Sequence, residues 1–360
     1  MVNGKIIGID ARMIEMSGIG TYIQHLMGHG IYDVAVGNEE EIRRYDSDVK
    51  VIPFSAPVYG LKEQLQFPCK AIKEAGVHIM HFPHYNVPVI YNGKYVTTVH
   101  DLTHIVLPEF LGNKIKYCYA KFLMSRTLKR AKHIFTVSDN SKKDIHDYFD
   151  IKEEKISITY DAIDEDFRIK EKKQIEYLYD KYSIPREKEL LLYVGNLKPH
   201  KNLATLLKAL KAINQDNIIL LLVGKAFKSI DLEKQEEEIE IRNKVIHTGM
   251  VEKSELIDLY NLADLFVFPS LYEGFGIPPL EAMACGTPVI AADNSSIPEV
   301  CGVAAEYFDG RDENELAKKI EELLKDDNKK HKMIDEGLKQ YKHFSWDRTR
   351  ETVRKVIEEV

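Results

Sequence analysis

Paired cysteines, long apolar runs and a charged tail are all missing from this chain, and each gap excludes a class of function. The four cysteines, Cys69, Cys118, Cys285 and Cys301, show no Cys-x-x-Cys spacing, so neither a zinc ribbon nor a dithiol redox pair is signalled. Reduced thiols are expected. No apolar run approaches the ~20 residues that a membrane span needs. Met1 leads straight into a short strand at Lys5–Asp10 without the apolar core of a signal peptide, which implies a cytoplasmic protein. The net charge of −7 argues against nucleic acid as the main partner. With 360 residues, 44% of them hydrophobic and 30% charged, the chain has room for two α/β cores.

What is present is a rhythm of short apolar runs and helical stretches. Strands are predicted at Lys5–Asp10, Val77–Phe82, Tyr95–His100, Ile134–Val137, Ile156–Tyr160, Leu190–Val194, Ile218–Val223, Val245–Thr248, Leu265–Phe268 and Val289–Ala292. This is the pattern of doubly wound parallel sheets. Between Asp164 and Glu189 the rhythm lapses into a charged, polar stretch, which reads as a linker and places the domain boundary near residue 168. From Ser345 the chain reads as an amphipathic helix with Thr349, Val353 and Ile357 on one side.

The most informative segment is Leu271-Tyr272-Glu273-Gly274-Phe275-Gly276-Ile277-Pro278-Pro279-Leu280-Glu281. It follows a buried-type strand, turns on two glycines and starts a helix whose first turn suits the two prolines. Gly274 and Gly276 let backbone N–H groups of the Gly274–Ile277 stretch, Phe275 included, approach a ligand, and the helix N-terminus adds positive dipole, so the loop suits an anion such as phosphate. Glu273 lies in the loop and Glu281 about two turns along the helix, where a carboxylate can accept hydrogen bonds from sugar hydroxyls. The plainer reading is a pair of solvated surface acids, which the strand and glycine loop around them oppose.

Three further constellations stand beside it. Ser17-Gly18-Ile19-Gly20-Thr21-Tyr22 follows the first strand and opens a helix, the right context for a phosphate-approaching loop. It lacks the third glycine of the dinucleotide fingerprint, which counts against NAD. Gly195-Asn196-Leu197-Lys198-Pro199-His200-Lys201-Asn202 lies between a strand and a helix, so Lys201 near that helix start can neutralise a diphosphate, against the alternative of a solvated surface lysine. His100-Asp101 ends a strand at the edge where α/β sheets gather ligands; the alternatives are a structural histidine bonded to Asp101, or a metal site built from His81, His84, His100 and His104.

Glu273-x₇-Glu281 on its glycine loop, followed by Gly286-Thr287-Pro288-Val289-Ile290-Ala291 and Ser296-Ile297-Pro298-Glu299-Val300, resembles the family 4 glycosyltransferases, retaining sugar-nucleotide enzymes of the GT-B fold. The likeness runs from the loop at Gly18 to Phe344-Ser345-Trp346. Within the family, Gly195 to Leu203 looks like the bacterial polysaccharide mannosyltransferases. The resemblance implies two Rossmann-like domains facing across a cleft. Residues 1–168 would form the acceptor side, residues 169–344 would bind the sugar nucleotide, and the helix 345–360 would cross back to the first domain. It implies transfer of a hexose, with mannose from GDP-mannose favoured, to a glycan or lipid-linked glycan, without metal or other cofactor. Lys201, Gly276 and Ile277 would hold the diphosphate, Glu281 the ribose, and Glu273 and His100 the sugar, while Gly18 and Gly20 would face the donor phosphates. One departure is Asn196, directly after Gly195, where the family carries an arginine; Lys198 or His200 are the substitutes at hand. Asn196 also supports the alternative of a non-catalytic nucleotide- or glycan-binding module, and a UDP- or ADP-sugar transferase or an epimerase on the same fold is the third reading.

From Leu111 to His133 come Lys114, Lys116, Lys121, Arg126, Lys129, Arg130 and Lys132, interleaved with Tyr117, Tyr119, Phe122, Leu123 and Met124 and containing no acid. In an acidic chain this reversal suits peripheral contact with an anionic membrane on the cytoplasmic side. The alternative is a half-buried helix with snorkelling lysines.

Overall fold

The computed structural model describes residues 4–16, 18–213, 215–225 and 240–360. The chain divides into two compact units, residues 1–161 with 345–360, and residues 162–344.

The first unit is built on a parallel sheet of seven strands: β1 (Ile6–Asp10), β2 (Val34–Gly37), β3 (Lys50–Pro53), β4 (Val77–Phe82), β5 (Tyr95–Val99), β6 (Ile134–Thr136) and β7 (Ile156–Ile158), in the order β3-β2-β1-β4-β5-β6-β7. The second carries six parallel strands: β8 (Glu189–Val194), β9 (Ile218–Val223), β10 (Val245–Gly249), β11 (Leu265–Phe268), β12 (Val289–Ala292) and β13 (Ala305–Phe308), in the order β10-β9-β8-β11-β12-β13. Helices cover both faces of a parallel sheet, so strands such as β9 and β11 are unbroken apolar runs; all six residues of β9 and all four of β11 are buried. In both sheets the strand order reverses once, between β1 and β4 and between β8 and β11. At such a switch point the two loops leaving the carboxyl ends diverge and open a crevice for a ligand.

Three strands, β2, β3 and β13, are additions to those expected from the sequence. Each is only four residues long, and β3 and β13 are edge strands, where Lys50, Pro53 and Glu306 replace the continuous apolar signal. The charged stretch read as a linker belongs instead to the second unit. Lys170 and Tyr177 bind Asp258, and Lys181 and Tyr182 bind Glu255, which fastens it to the Lys253–Leu262 helix.

The helix Trp346–Glu359 is counted with the first unit and buries Trp346, Thr349, Val353 and Ile357. Ser345 caps it, accepting from the Asp347 N–H at 3.2 Å. Trp346 stacks on His25 of the Ile19–Leu26 helix with ring centres 4.3 Å apart, and Arg350 donates to the His25 carbonyl at 3.0 Å.

No helix among the described residues is long and apolar enough to cross a membrane.

Gly20 is fixed by packing. A β-carbon there would lie 2.5 Å from the Ile14 carbonyl oxygen, inside the loop that connects β1 to the Ile19–Leu26 helix. Gly20→Ala is therefore expected to destabilise the protein by about 1–3 kcal/mol through overpacking, read as a lower urea midpoint.

Candidate functional site

In the second unit the loops after β8, β11 and β12 converge at the switch point. The loop after β8 ends in a 3₁₀ turn, Pro199–Lys201, ahead of the Leu203–Ala212 helix, and this turn carries Lys201 to the carboxyl edge of the sheet. Lys201 Nζ meets Glu273 Oε1 at 2.6 Å and lies 5.9 Å from the centre of the Phe268 ring. Both partners are mostly buried, with side chains 19% and 13% exposed, so the pair stands in a weakened dielectric. Two residues 72 positions apart thus form one ammonium–carboxylate unit.

The loop bearing Glu273 is held by its own backbone. The Glu273 N–H donates to Ser295 Oγ at 2.9 Å, and the Ser296 hydroxyl reaches the carbonyls of Glu273 (2.9 Å) and Phe275 (2.7 Å). Phe275 is buried, edge-on to Phe344 at 5.2 Å. Gly276 ends the loop at φ 113°, a conformation that strains any residue with a β-carbon, and so turns the chain into the Ile277–Ala284 helix with prolines in its first turn. Asn202 binds the neighbouring loops together, its amide Nδ2 donating to the Pro269 carbonyl at 3.0 Å and the Gly310 carbonyl at 2.6 Å. The Leu271 N–H completes the junction by donating to the His200 carbonyl at 2.8 Å.

Glu281 projects from that helix toward Tyr260, whose hydroxyl donates to Oε2 at 2.7 Å. Burial pushes the Glu281 carboxyl up to about 7, partly offset by the Tyr260 hydrogen bond, and burial likewise raises the Tyr260 phenol.

Asn196 follows Gly195 at the end of β8. It spends its Oδ1 on the Lys198 N–H at 3.0 Å, and its carbonyl accepts from the Tyr193 hydroxyl at 3.3 Å, so it shapes its own turn. Lys198 is exposed, and His200 is partly buried.

The remaining residues singled out from the sequence belong to the first unit. Gly18 caps the Ile19–Leu26 helix, and Gly20 lies within it. His100 follows β5, with Nε2 donating to the Pro83 carbonyl at 3.0 Å and the Tyr22 ring edge-on at 5.0 Å. Since a carbonyl can only accept, this bond fixes the tautomer and leaves Nδ1 as an acceptor. Burial lowers the His100 imidazole to about 4, so it is neutral at pH 7. His81 is engaged at both nitrogens, by Tyr32 at 2.6 Å and Thr98 at 2.8 Å. His84 accepts from the Asn86 N–H at 3.1 Å and faces the Tyr59 hydroxyl at 3.1 Å. These bonds occupy the ring nitrogens of both histidines, and no group of three or more His, Cys, Asp or Glu residues able to hold a metal occurs among the described residues.

Sequence reasoning missed the network at the switch point of the first unit. Arg12, its side chain 5% exposed, is bidentate to Asp10 at 2.8 and 2.6 Å and meets Glu63 at 2.8 Å. Glu63 also accepts from Asn86 Nδ2 at 2.7 Å and from the Tyr59 N–H at 2.6 Å. A lone Asp-x-Arg after a strand carries no signal of a partner 51 residues on.

The raised Glu281 carboxyl has a sign that can be checked. Below the ordinary glutamate range the group is neutral in both folded and unfolded chains and costs nothing. As pH rises from the ordinary glutamate range toward about 7 the unfolded chain ionises while the folded one stays protonated, so stability is lost across that window and the loss levels off above it. Glu281→Gln removes that loss and keeps an acceptor for Tyr260. The variant is expected to gain about 1–3 kcal/mol over the parent between pH 5 and pH 8 in urea unfolding.

Comparison with known proteins gives this geometry a family. The model described as Glycosyl transferases group 1 matches residues 174–340, and that described as Glycosyltransferase Family 4 matches residues 33–167. The O-antigen chain mannosyltransferase B of Escherichia coli is 32% identical over 281 residues, covering 77% of this chain and 73% of the relative. The serotype-specific mannosyltransferase WbdA of Escherichia coli is also 32% identical, over 71% of this chain, and the chain spans only 32% of the length of that relative. Among solved structures, Anabaena HepE in complex with UDP-glucose superposes with a TM-score of 0.80 at 18% identity, covering 99% of this chain and 100% of that one. WaaG, a glycosyltransferase involved in lipopolysaccharide biosynthesis, gives 0.78 at 14% identity, over 98% and 99% of the two chains. The fold is that of the GT-B glycosyltransferases, and the chain belongs to the glycosyltransferase family whose group 1 and family 4 models it matches.

Proposed function

We propose that the protein is a retaining, metal-independent glycosyltransferase that moves a hexose from a nucleotide sugar, with GDP-mannose the favoured donor, to a glycan or lipid-linked glycan in polysaccharide synthesis. The observation that carries this reading is the Lys201–Glu273 contact at 2.6 Å, set beside the Gly276 turn and the helix it opens. A cation for the diphosphate and a carboxylate for sugar hydroxyls are thereby built into one unit. Breaking the bond to the sugar leaves negative charge on the diphosphate; Lys201, the N–H groups of Gly276 and Ile277 and the helix dipole oppose it there. Glu281 takes the ribose hydroxyls. His100, neutral and with Nδ1 open, accepts from a hydroxyl of the transferred sugar. Glu273 is tied to an ammonium, which blunts it as a nucleophile. Displacement on the same face of the sugar then follows, with the leaving phosphate taking the proton of the attacking acceptor hydroxyl. The relatives named as O-antigen mannosyltransferases support mannose as the sugar. The basic helix Lys114–Arg130 supplies contact with an anionic membrane surface where a lipid-linked acceptor is held.

Titration with GDP, UDP and ADP tests the donor: GDP is expected to bind most tightly, and a preference for UDP would reassign the base. Glu273→Ala is expected to cut turnover ~10²-fold or more. Its affinity for GDP should be unchanged or tighter, since Lys201 loses the carboxylate that competes for it. Weaker GDP binding in this variant would remove Glu273 from the sugar. Transfer is also expected to survive excess EDTA, with Lys201 carrying the compensating charge; activity lost to EDTA and restored by Mg²⁺ or Mn²⁺ would overturn the metal-free assignment.

A further inference from the structure

The helix Leu61–Gln66 is inside out. Its polar residues Glu63 and Gln64 are buried, while Leu61 and Leu65, one turn apart, are 81% and 62% exposed. The inward anchors are specific. Glu63 meets Arg12 at 2.8 Å and accepts from Asn86 and the Tyr59 N–H; Gln64 donates to Asn86 Oδ1 at 3.0 Å. Burying a carboxylate in order to expose two leucines is the reverse of what a water-facing surface favours. The apolar face therefore implies an apolar partner.

A second exposed row adjoins it. On the Lys114–Arg130 helix only Leu123, Met124, Thr127 and Leu128 are buried, and the outward side carries Ile115 at 78% and Phe122 at 65% exposure, with Tyr119 between them. In the first half of this helix no side chain is fully buried, with Tyr117 and Ala120 partly covered, and the buried face begins at Leu123. The two helices are joined through Val89. Its N–H donates to Gln64 Oε1 at 2.9 Å, and its carbonyl accepts from Arg126 Nη2 at 2.6 Å. Lys62, Lys114, Lys116 and Lys121 rim these rows in exposed positions, and the one acid between residues 54 and 66 is the buried Glu63. Exposed apolar rows with a basic rim match the boundary between acyl chains and anionic headgroups.

We infer that Leu61 and Leu65, together with Ile115 and Phe122, insert into the anionic bilayer on which the first unit docks, so that attachment is apolar as well as electrostatic. This rests on the membrane contact proposed above. The test uses vesicles containing phosphatidylglycerol, with phosphatidylcholine vesicles as control, and three variants: Leu61→Ser with Leu65→Ser, Lys121→Gln with Lys129→Gln and Arg130→Gln, and Leu65→Trp as a depth probe. Cosedimentation is expected to weaken about tenfold or more for the leucine pair and about a hundredfold for the basic triple. The parent, leucine-pair and Leu65→Trp proteins should respond strongly to added salt, and the basic triple less so. Emission from the Leu65→Trp protein should shift to the blue on binding and be quenched by lipids labelled in the acyl chain. Parent protein that binds while the leucine pair binds equally well and Trp emission stays unquenched would overturn insertion and leave the electrostatic contact standing. Parent protein that stays in the supernatant would overturn both. A lipid-free change in oligomeric state in the leucine pair would assign the face to a second copy of the chain instead.

Discussion

Parallel strands can be joined only by long crossovers, and those crossovers lay helices over both faces of the sheet. This single constraint decides where chemistry can occur in each unit. The sheet interior must be apolar, as the six buried residues of β9 are, so polar and charged groups are displaced to the strand ends. At the point where the winding reverses, two loops part and leave backbone N–H groups without partners from neighbouring strands. Lys201 and Glu273 flank that point in one sheet, and Arg12 and His84 flank it in the other. The sites are therefore consequences of winding direction first and of side-chain choice second.

The two switch points use buried charge differently. Arg12 sits between Asp10 and Glu63, and all three are nearly sealed from water. Such a cluster is costly to desolvate and offers its charge to no incoming group; what it provides is a fixed position for the segment at Tyr59–Gln66. The Lys201–Glu273 pair retains some exposure and has only one carboxylate for one ammonium, so either partner can be drawn to a ligand of opposite sign. Glu281 occupies a third condition, a lone carboxyl raised by burial with a phenol as its neighbour. It is suited to hydroxyls, whose protons it can accept without bringing another full charge into the same space.

The parts that were legible in the sequence are those where one local signal sufficed. Glycine turns after apolar runs located Glu273, Lys201 and the helix at Ile277, and apolar spacing found the buried side of the last helix through Thr349, Val353 and Ile357. The edge strands β3 and β13 escaped because exposure on one side breaks the apolar run on which such a reading depends. The supports of the site escaped for another reason. Tyr260, Ser295, Ser296 and Asn202 act through contacts with residues far along the chain, and none carries a local signature. Likewise the charged segment at residues 162–188 has a linker's composition, yet Asp258 and Glu255 give its cations fixed partners.

Asn202 has left-handed backbone at φ 56° and one amide nitrogen shared between the carbonyls of Pro269 and Gly310. It acts as a rivet through the ends of three strands that are distant in sequence. Loops so fastened cannot be exchanged singly. Grafting the 269–276 segment from a relative with another donor would import the new contacts but misplace the carbonyl that Asn202 holds. On the proposed donor site, donor choice is thus inherited by whole sets of loops, and efforts to redesign it should transplant residues 195–202, 269–276 and 309–311 as one piece.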